Sequence, residues 1–211
     1  MNEWLKGRLS VGLSFGYISS SEIISLINEY SDYIHDVFFS PTESLRLQTR
    51  LNIYNFTSTS NEYRLSELDR TVFFCKNKGI RTSLVLNAAM VTAEYMADLF
   101  EHYNDRYNLD FVTTTSSVAR VLKQRNVTTP IVCSYNEGLK SYEEIRVAIN
   151  SGLFDSLVLG NSFIRDFDAF SLVKSKGLSS ILLVNNGCSF GCHNFCRAAG
   201  AIIVNVYSII D

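Results

Sequence analysis

No stretch of this sequence approaches the roughly 18 consecutive apolar residues that a membrane-spanning helix needs. The opening residues, Met-Asn-Glu-Trp-Leu-Lys-Gly-Arg, lack the apolar core of a secretory leader, so a cytoplasmic protein is expected. Charge is nearly balanced, with 19 Lys and Arg against 21 Asp and Glu and a net charge of −2. That balance gives no electrostatic signal for nucleic acid or an anionic membrane. No Gly-x-Gly-x-x-Gly follows the first apolar run, where Gly12 and Gly16 stand isolated, and no Gly-Lys-Ser/Thr occurs. Dinucleotide and P-loop fingerprints are thus missing. Gly-x-Ser-x-Gly and His-Glu-x-x-His are missing too, which removes the nucleophile elbow and the zincin motif. Five cysteines are an odd number, unsuited to a simple disulfide framework, and thiols in a reducing compartment stay free. In that compartment the glycosylation sequons at Asn55 and Asn126 are accidental.

What is present is an alternation of short apolar runs and amphipathic stretches. With 211 residues and 46% hydrophobic content, the chain suits one well-buried domain over residues 1–211. Strands are expected at 9–15, 36–39, 82–86, 111–114, 131–134, 156–159, 180–184 and 201–206. Helices are expected from Ser20, at 67–77, 92–103, 116–125, 142–150 and 166–176. Ser19 with Glu22 and Ser141 with Glu144 carry capping chemistry at helix starts, and Gly79, Gly152 and Gly177 mark helix ends. Residues 42–61 are polar and irregular and are expected to form a long loop. Strands alternating with helices imply βαβ units and a parallel sheet. Seven or eight units favour a TIM-type (β/α)8 barrel over an open doubly wound sheet of five or six strands. No eighth helix is expected, so the barrel reads as incomplete at its C-terminal end, with a seam that a homo- or hetero-oligomeric partner would cover.

In a parallel barrel the strand C-termini share one mouth, and chemistry gathers there. Asparagine recurs at that position, as Asn87, Asn136, Asn161 and Asn185, offering uncharged donors and acceptors for a polar small-molecule substrate. These residue types are also ordinary turn formers. Glu137 is the carboxylate placed at the mouth of a middle strand, a candidate general base or a partner for Arg165. Tyr135 offers a ring on which a planar ligand would stack.

Three cysteines, Cys188, Cys192 and Cys196, follow the seventh apolar run at intervals of four residues, with His193 among them. Soft, anionic thiolates are ligands for iron–sulfur clusters and for zinc. The spacing does not match the CxxC of zinc ribbons, so a cluster fits better than zinc. Cys133, at the end of the fifth run, is a candidate fourth ligand, whereas Cys75 reads as core.

Val184-Asn185-Asn186-Gly187-Cys188 with Cys192 resembles the Asn-Glu-Gly-Cys…Cys-Pro signature of the peptidase U32-like barrel family. Leu157-Val158-Leu159 leading to Arg165-Asp166-Phe167 is similar to the family's sixth-strand segment, and Ser40-Pro41 and Ile131–Ser134 with Tyr142-Glu143-Glu144 also fit. Asn186, His193 and Ile164 depart from the family pattern, where glutamate, proline and asparagine stand. The resemblance implies a (β/α)8 barrel and two activities. One is peptidase action on a peptide substrate. The other is oxygen-independent hydroxylation of nucleic-acid bases or quinone precursors with a 4Fe-4S cluster. A non-catalytic barrel serving as a subunit is the third expectation.

Overall fold

The computed structural model describes residues 9–13, 19–41, 61–87, 91–163, 165–183 and 207–210, and structural statements below concern these residues. Seven parallel strands alternate with helices: β1 (Leu9–Gly12), α1 (Ser20–Glu29), β2 (Ile34–Phe39), α2 (Asn61–Asn77), β3 (Arg81–Leu86), α3 (Ala93–Tyr107), β4 (Phe111–Thr114), α4 (Ser116–Gln124), β5 (Ile131–Cys133), α5 (Tyr142–Asn150), β6 (Ser156–Leu159), α6 (Phe167–Lys174) and β7 (Ser179–Leu183). Each strand pairs in parallel with the next in sequence. The result is an incomplete TIM-type α/β barrel. A short β8 (Tyr207–Ile210) bridges the gap, pairing with both β7 and β1. The expected ring of eight parallel strands is therefore corrected: β8 is antiparallel to both neighbours. The run 201–206, expected to be that strand, lies outside the described residues, as do 14–15 of the expected first strand and 42–60 of the expected loop.

Strand alternation sorts the side chains. Val37, Phe39, Leu84, Leu86, Val112, Ile131, Leu157, Leu159 and Leu182 join one large apolar layer with the helices. The opposite parity places Phe111, Val132 and Val158 together inside the ring, with Tyr135 and Ile181 packed against them. This outer layer, not the lumen, holds most of the buried apolar surface. Where β2, α2 and α3 meet, it is aromatic: the Phe39 ring lies 6.1 Å from Tyr103 and 5.7 Å, edge-on, from Tyr107, and Phe73 lies 5.8 Å from Tyr107. Tyr107 keeps its hydroxyl satisfied by donating to Asp69 at 2.8 Å, and Arg106 grips the same carboxylate at 2.7 and 2.5 Å.

Local chemistry sets the element ends. Ser19 accepts from the Glu22 N–H while the Glu22 carboxylate accepts from the Ser19 N–H, a reciprocal cap on α1. Ser141 caps α5 by accepting from the Glu144 N–H, while the Glu144 carboxylate accepts from the Ser141 hydroxyl and the Lys140 N–H. At the N-terminal end of the barrel one device occurs twice. Asp110 precedes β4, and its carboxylate accepts from the Thr82 N–H of β3 at 2.7 Å, with Lys76 at 3.2 Å. Asp155 precedes β6, and its carboxylate accepts from the Ile131 N–H of β5 at 2.8 Å, with Lys123 at 4.0 Å. Each pair staples the start of one strand to its successor.

Candidate functional site at the carboxyl ends of the strands

Because β1 to β7 run in parallel, their C-terminal ends share one side of the ring, and the helices begin there. The β5 end shows how the sequence shapes this side. Ser134 is buried, and its hydroxyl accepts from the Asn136 N–H at 3.1 Å, which winds Tyr135–Glu137 into a single tight turn. Gly138 closes the turn at φ 75°, a left-handed conformation that a side chain resists. Glu137 then reaches across to α4: its carboxylate accepts from the Ser116 N–H at 2.9 Å and from the Ser116 hydroxyl at 2.5 Å. The Thr115 side chain makes no cap of its own, so Glu137 supplies the acceptor that the α4 N-terminus needs. The expected partnership of Glu137 with Arg165 is not among the described ion pairs. Arg165 is exposed, just before α6.

Asn87 follows β3 directly and shares the parity of Ser83 and Val85, the lumen-facing side of that strand. It is half-buried, and its Oδ1 is closed to solvent without a hydrogen-bond partner. Four residues back, the Ser83 hydroxyl is in the same condition on a fully buried residue. Asn136 is exposed and contributes its backbone N–H to the turn. Asn161 opens the one-turn helix Asn161–Phe163 on the same side. Asn185, Cys188, Cys192 and Cys196 lie outside the described residues.

Cys133 does not fit the expected role of fourth ligand. It has the parity opposite to Val132, is fully buried, and belongs to the layer beneath the helices. Burial, then the nearby Glu137 charge, push its thiol well above the ordinary range, so the thiolate that a metal requires is disfavoured. Cys75 is core as expected, with burial pushing its thiol to about 12. Among the described residues no three His, Cys, Asp or Glu side chains gather as a metal site.

Sequence reading missed two features. One is the lumen floor, where Tyr135 and Ile181 pack against Phe111, Val132 and Val158. Strand parity was the signal that could have found it. The other is at the far end of the barrel, where Ser10 donates to the buried Asp36, His35 Nδ1 lies 3.0 Å from the same carboxylate, and Arg81 reaches His35 Nε2 at 3.3 Å while covering the Phe111 ring. The serine is bonded to the carboxylate and not to the imidazole, so this chain of contacts ties β1, β2 and β3 together and activates no nucleophile.

No protein-family profile matches the chain, and no curated protein does. Solved structures share its fold. The U32 peptidase Mk0906 superposes with a TM-score of 0.52 at 12% identity, over 69% of this chain and 58% of that one. A mandelate racemase/muconate lactonizing family protein from Azoarcus sp. EbN1 gives 0.52 at 15% identity, over 83% and 44%. L-Talarate dehydratase from Polaromonas sp. JS666, complexed with Mg and L-glucarate, gives 0.50 at 12% identity, over 82% and 46%. The chain thus spans less than two thirds of each of these proteins. At such identities the likeness is one of fold: the class defined here is the TIM-type α/β barrel.

Proposed function

We propose that this chain is a U32-like barrel that binds an iron–sulfur cluster through Cys188, Cys192 and Cys196 and acts as an oxygen-independent hydroxylase-type enzyme on a small molecule or a nucleic-acid base. The carrying observation is that β7 runs parallel to the six strands before it, so the chain leaves β7 on the side of Asn87, Tyr135 and Glu137, five residues before Cys188. The donor set supports the reading: three thiols within nine residues, beside glycine and asparagine, make poor core and good soft ligands. Once bound, the cluster would supply electron transfer. The chain's own residues would hold the substrate: Asn87, Asn136, Asn161 and Asn185 through uncharged hydrogen bonds, with Arg165 near the rim as a cationic contact. Glu137 keeps the β5 turn against α4, which fixes the wall of the mouth, and proton transfer at its carboxylate belongs to the same proposal.

Anaerobic purification with iron and sulfide analysis tests this. About four iron atoms per chain are expected, with loss of iron in Cys188→Ser, Cys192→Ser and Cys196→Ser. A colourless, iron-free protein after anaerobic reconstitution, with all three thiols alkylated at ordinary rates, would overturn the reading. Peptide hydrolysis that survives Cys188→Ser would replace it with a peptidase of the U32 type.

A further inference from the structure

The amino-terminal end of the ring carries a polar cluster that the mouth does not use, and its origin is a bulge. Leu9 of β1 pairs with Ile34 and Ser10 pairs with Asp36, so β2 holds one residue more than its partner, and that residue is His35. Ile34 and Val37 join the same outer layer although they are three residues apart, where a regular strand would set them on opposite faces. The extra residue brings two sequence neighbours into one cluster: His35 Nδ1 lies 3.0 Å from the buried Asp36 carboxylate, to which Ser10 of β1 also donates. From β3, Arg81 Nη1 lies 3.3 Å from His35 Nε2, and from β4 the Phe111 ring lies under the guanidinium at 5.0 Å. Asp110, just before Phe111, is occupied by Lys76 and the Thr82 N–H. Among the described residues no carboxylate pairs with Arg81, so His35 and the Phe111 ring are what hold it.

The partners fix the proton positions. A guanidinium only donates, so His35 Nε2 accepts from Arg81. The one proton of the neutral ring therefore sits on Nδ1 and is donated to Asp36. A second proton has to enter at Nε2, where it meets an Arg81 N–H and a second positive charge. The same proton strengthens the bond from Nδ1 to the Asp36 carboxylate. Protonation thus keeps His35 on Asp36 and breaks its link to Arg81. We propose that His35 is an acid-operated latch at the amino-terminal end of the barrel: neutral, it holds the Arg81 guanidinium across the Phe111 ring; protonated, it releases Arg81 and uncovers that end of the lumen. Imidazole is the side chain whose charge changes between about pH 5 and 8, which sets the range to search.

The test is nuclear magnetic resonance on the full chain as pH is lowered from about 8 to about 5. Histidine is labelled at the ring nitrogens and phenylalanine at the ring carbons, each ring being assigned through its own backbone signals. At the upper pH the His35 proton is expected on Nδ1. As the ring takes its second proton, the Phe111 ring signal is expected to shift with the same midpoint. In Arg81→Met, a change at an exposed side chain, His35 is expected to go on titrating while the Phe111 signal stays still. A proton on Nε2 at the upper pH overturns the proposal, as does a ring that takes no second proton across the range. So does a Phe111 signal that stays fixed while His35 titrates, or one that still follows His35 in Arg81→Met.

Discussion

At the residue scale, Glu137 and Asp69 show carboxylates working as fasteners. Both Glu137 oxygens are used, on the N–H and hydroxyl of Ser116. Removing a charged acceptor from a helix N-terminus costs about 1–2 kcal/mol. Glu137→Ala is therefore expected to lower the urea unfolding free energy by about that amount, and Glu137→Gln, which retains one acceptor, by less. Equal losses in the two variants would show that acceptor geometry at Ser116 contributes nothing. Asp69 is half-buried as well. Burial pushes its carboxyl up, but the Arg106 guanidinium and the Tyr107 hydroxyl outweigh burial and hold it below the ordinary range. The sign follows: with a folded value below the unfolded one, its contribution is complete above roughly pH 5 and is lost as pH falls through the unfolded value near 3.9 and on through the folded one. The difference in thermal midpoint between the native chain and Asp69→Asn should be full at pH 6 and shrink toward pH 3. A difference constant across that range would mean that the carboxylate charge is irrelevant. Since Arg106 is partly exposed, the pair contributes about 1 kcal/mol, well short of what a buried ion pair would suggest.

At the element scale, the doubled staple makes a quantitative expectation. Asp110→Asn and Asp155→Asn each weaken a charge-assisted bond to a backbone N–H at the start of a strand, a loss of about 1–2 kcal/mol. The two sit in separate strand pairs and share no partner, so the double variant should lose their sum within about 0.5 kcal/mol. A shortfall larger than that would reveal coupling through the ring. The same elements explain what the sequence could disclose. The starts of α1 and α5 were legible because Ser19 with Glu22 and Ser141 with Glu144 are closed local devices, complete within four residues. The start of α2 was not. In its first turns Glu62 to Ser66 bury no side chain fully, so they carry no apolar stripe to read, and only from Glu67 and Leu68 does the buried face begin. The candidate mouth residues Asn87, Asn136, Glu137 and Arg165 were found by position after each apolar run. Their partners were not, because the contact of Glu137 with Ser116 spans 21 residues and no local pattern encodes it. Cys133 was placed on the wrong side for a simpler reason. One residue shifts a strand side chain from lumen to outer layer, and the ends of a three-residue strand such as β5 leave the parity of Cys133 ambiguous in sequence.

At the scale of the whole molecule, ring closure depends on four residues. The parallel eighth strand was expected at 201–206; the strand that closes the ring is Tyr207–Ile210, too short to announce a direction in sequence, and it runs against both neighbours. Its value to the fold is that it occupies the free backbone edges of β1 and β7 at once. Unpaired edges of that kind template association with other chains. Ile209 pairs with Ile181 of β7 in the antiparallel ladder. Proline at 209 removes its N–H and fixes its φ, which is incompatible with a strand paired on both sides. Ile209→Pro should therefore release β8 while leaving the β2–β6 segment and its helices paired. The expected signature is faster amide exchange confined to β1, β7 and β8, together with concentration-dependent association in sedimentation velocity. Ile209→Val, which keeps the N–H and the branched side chain, should show neither. A proline variant that remains monomeric with unchanged exchange in β1 and β7 would mean that β8 contributes nothing to closure, and that β1 and β7 are protected by other parts of the chain.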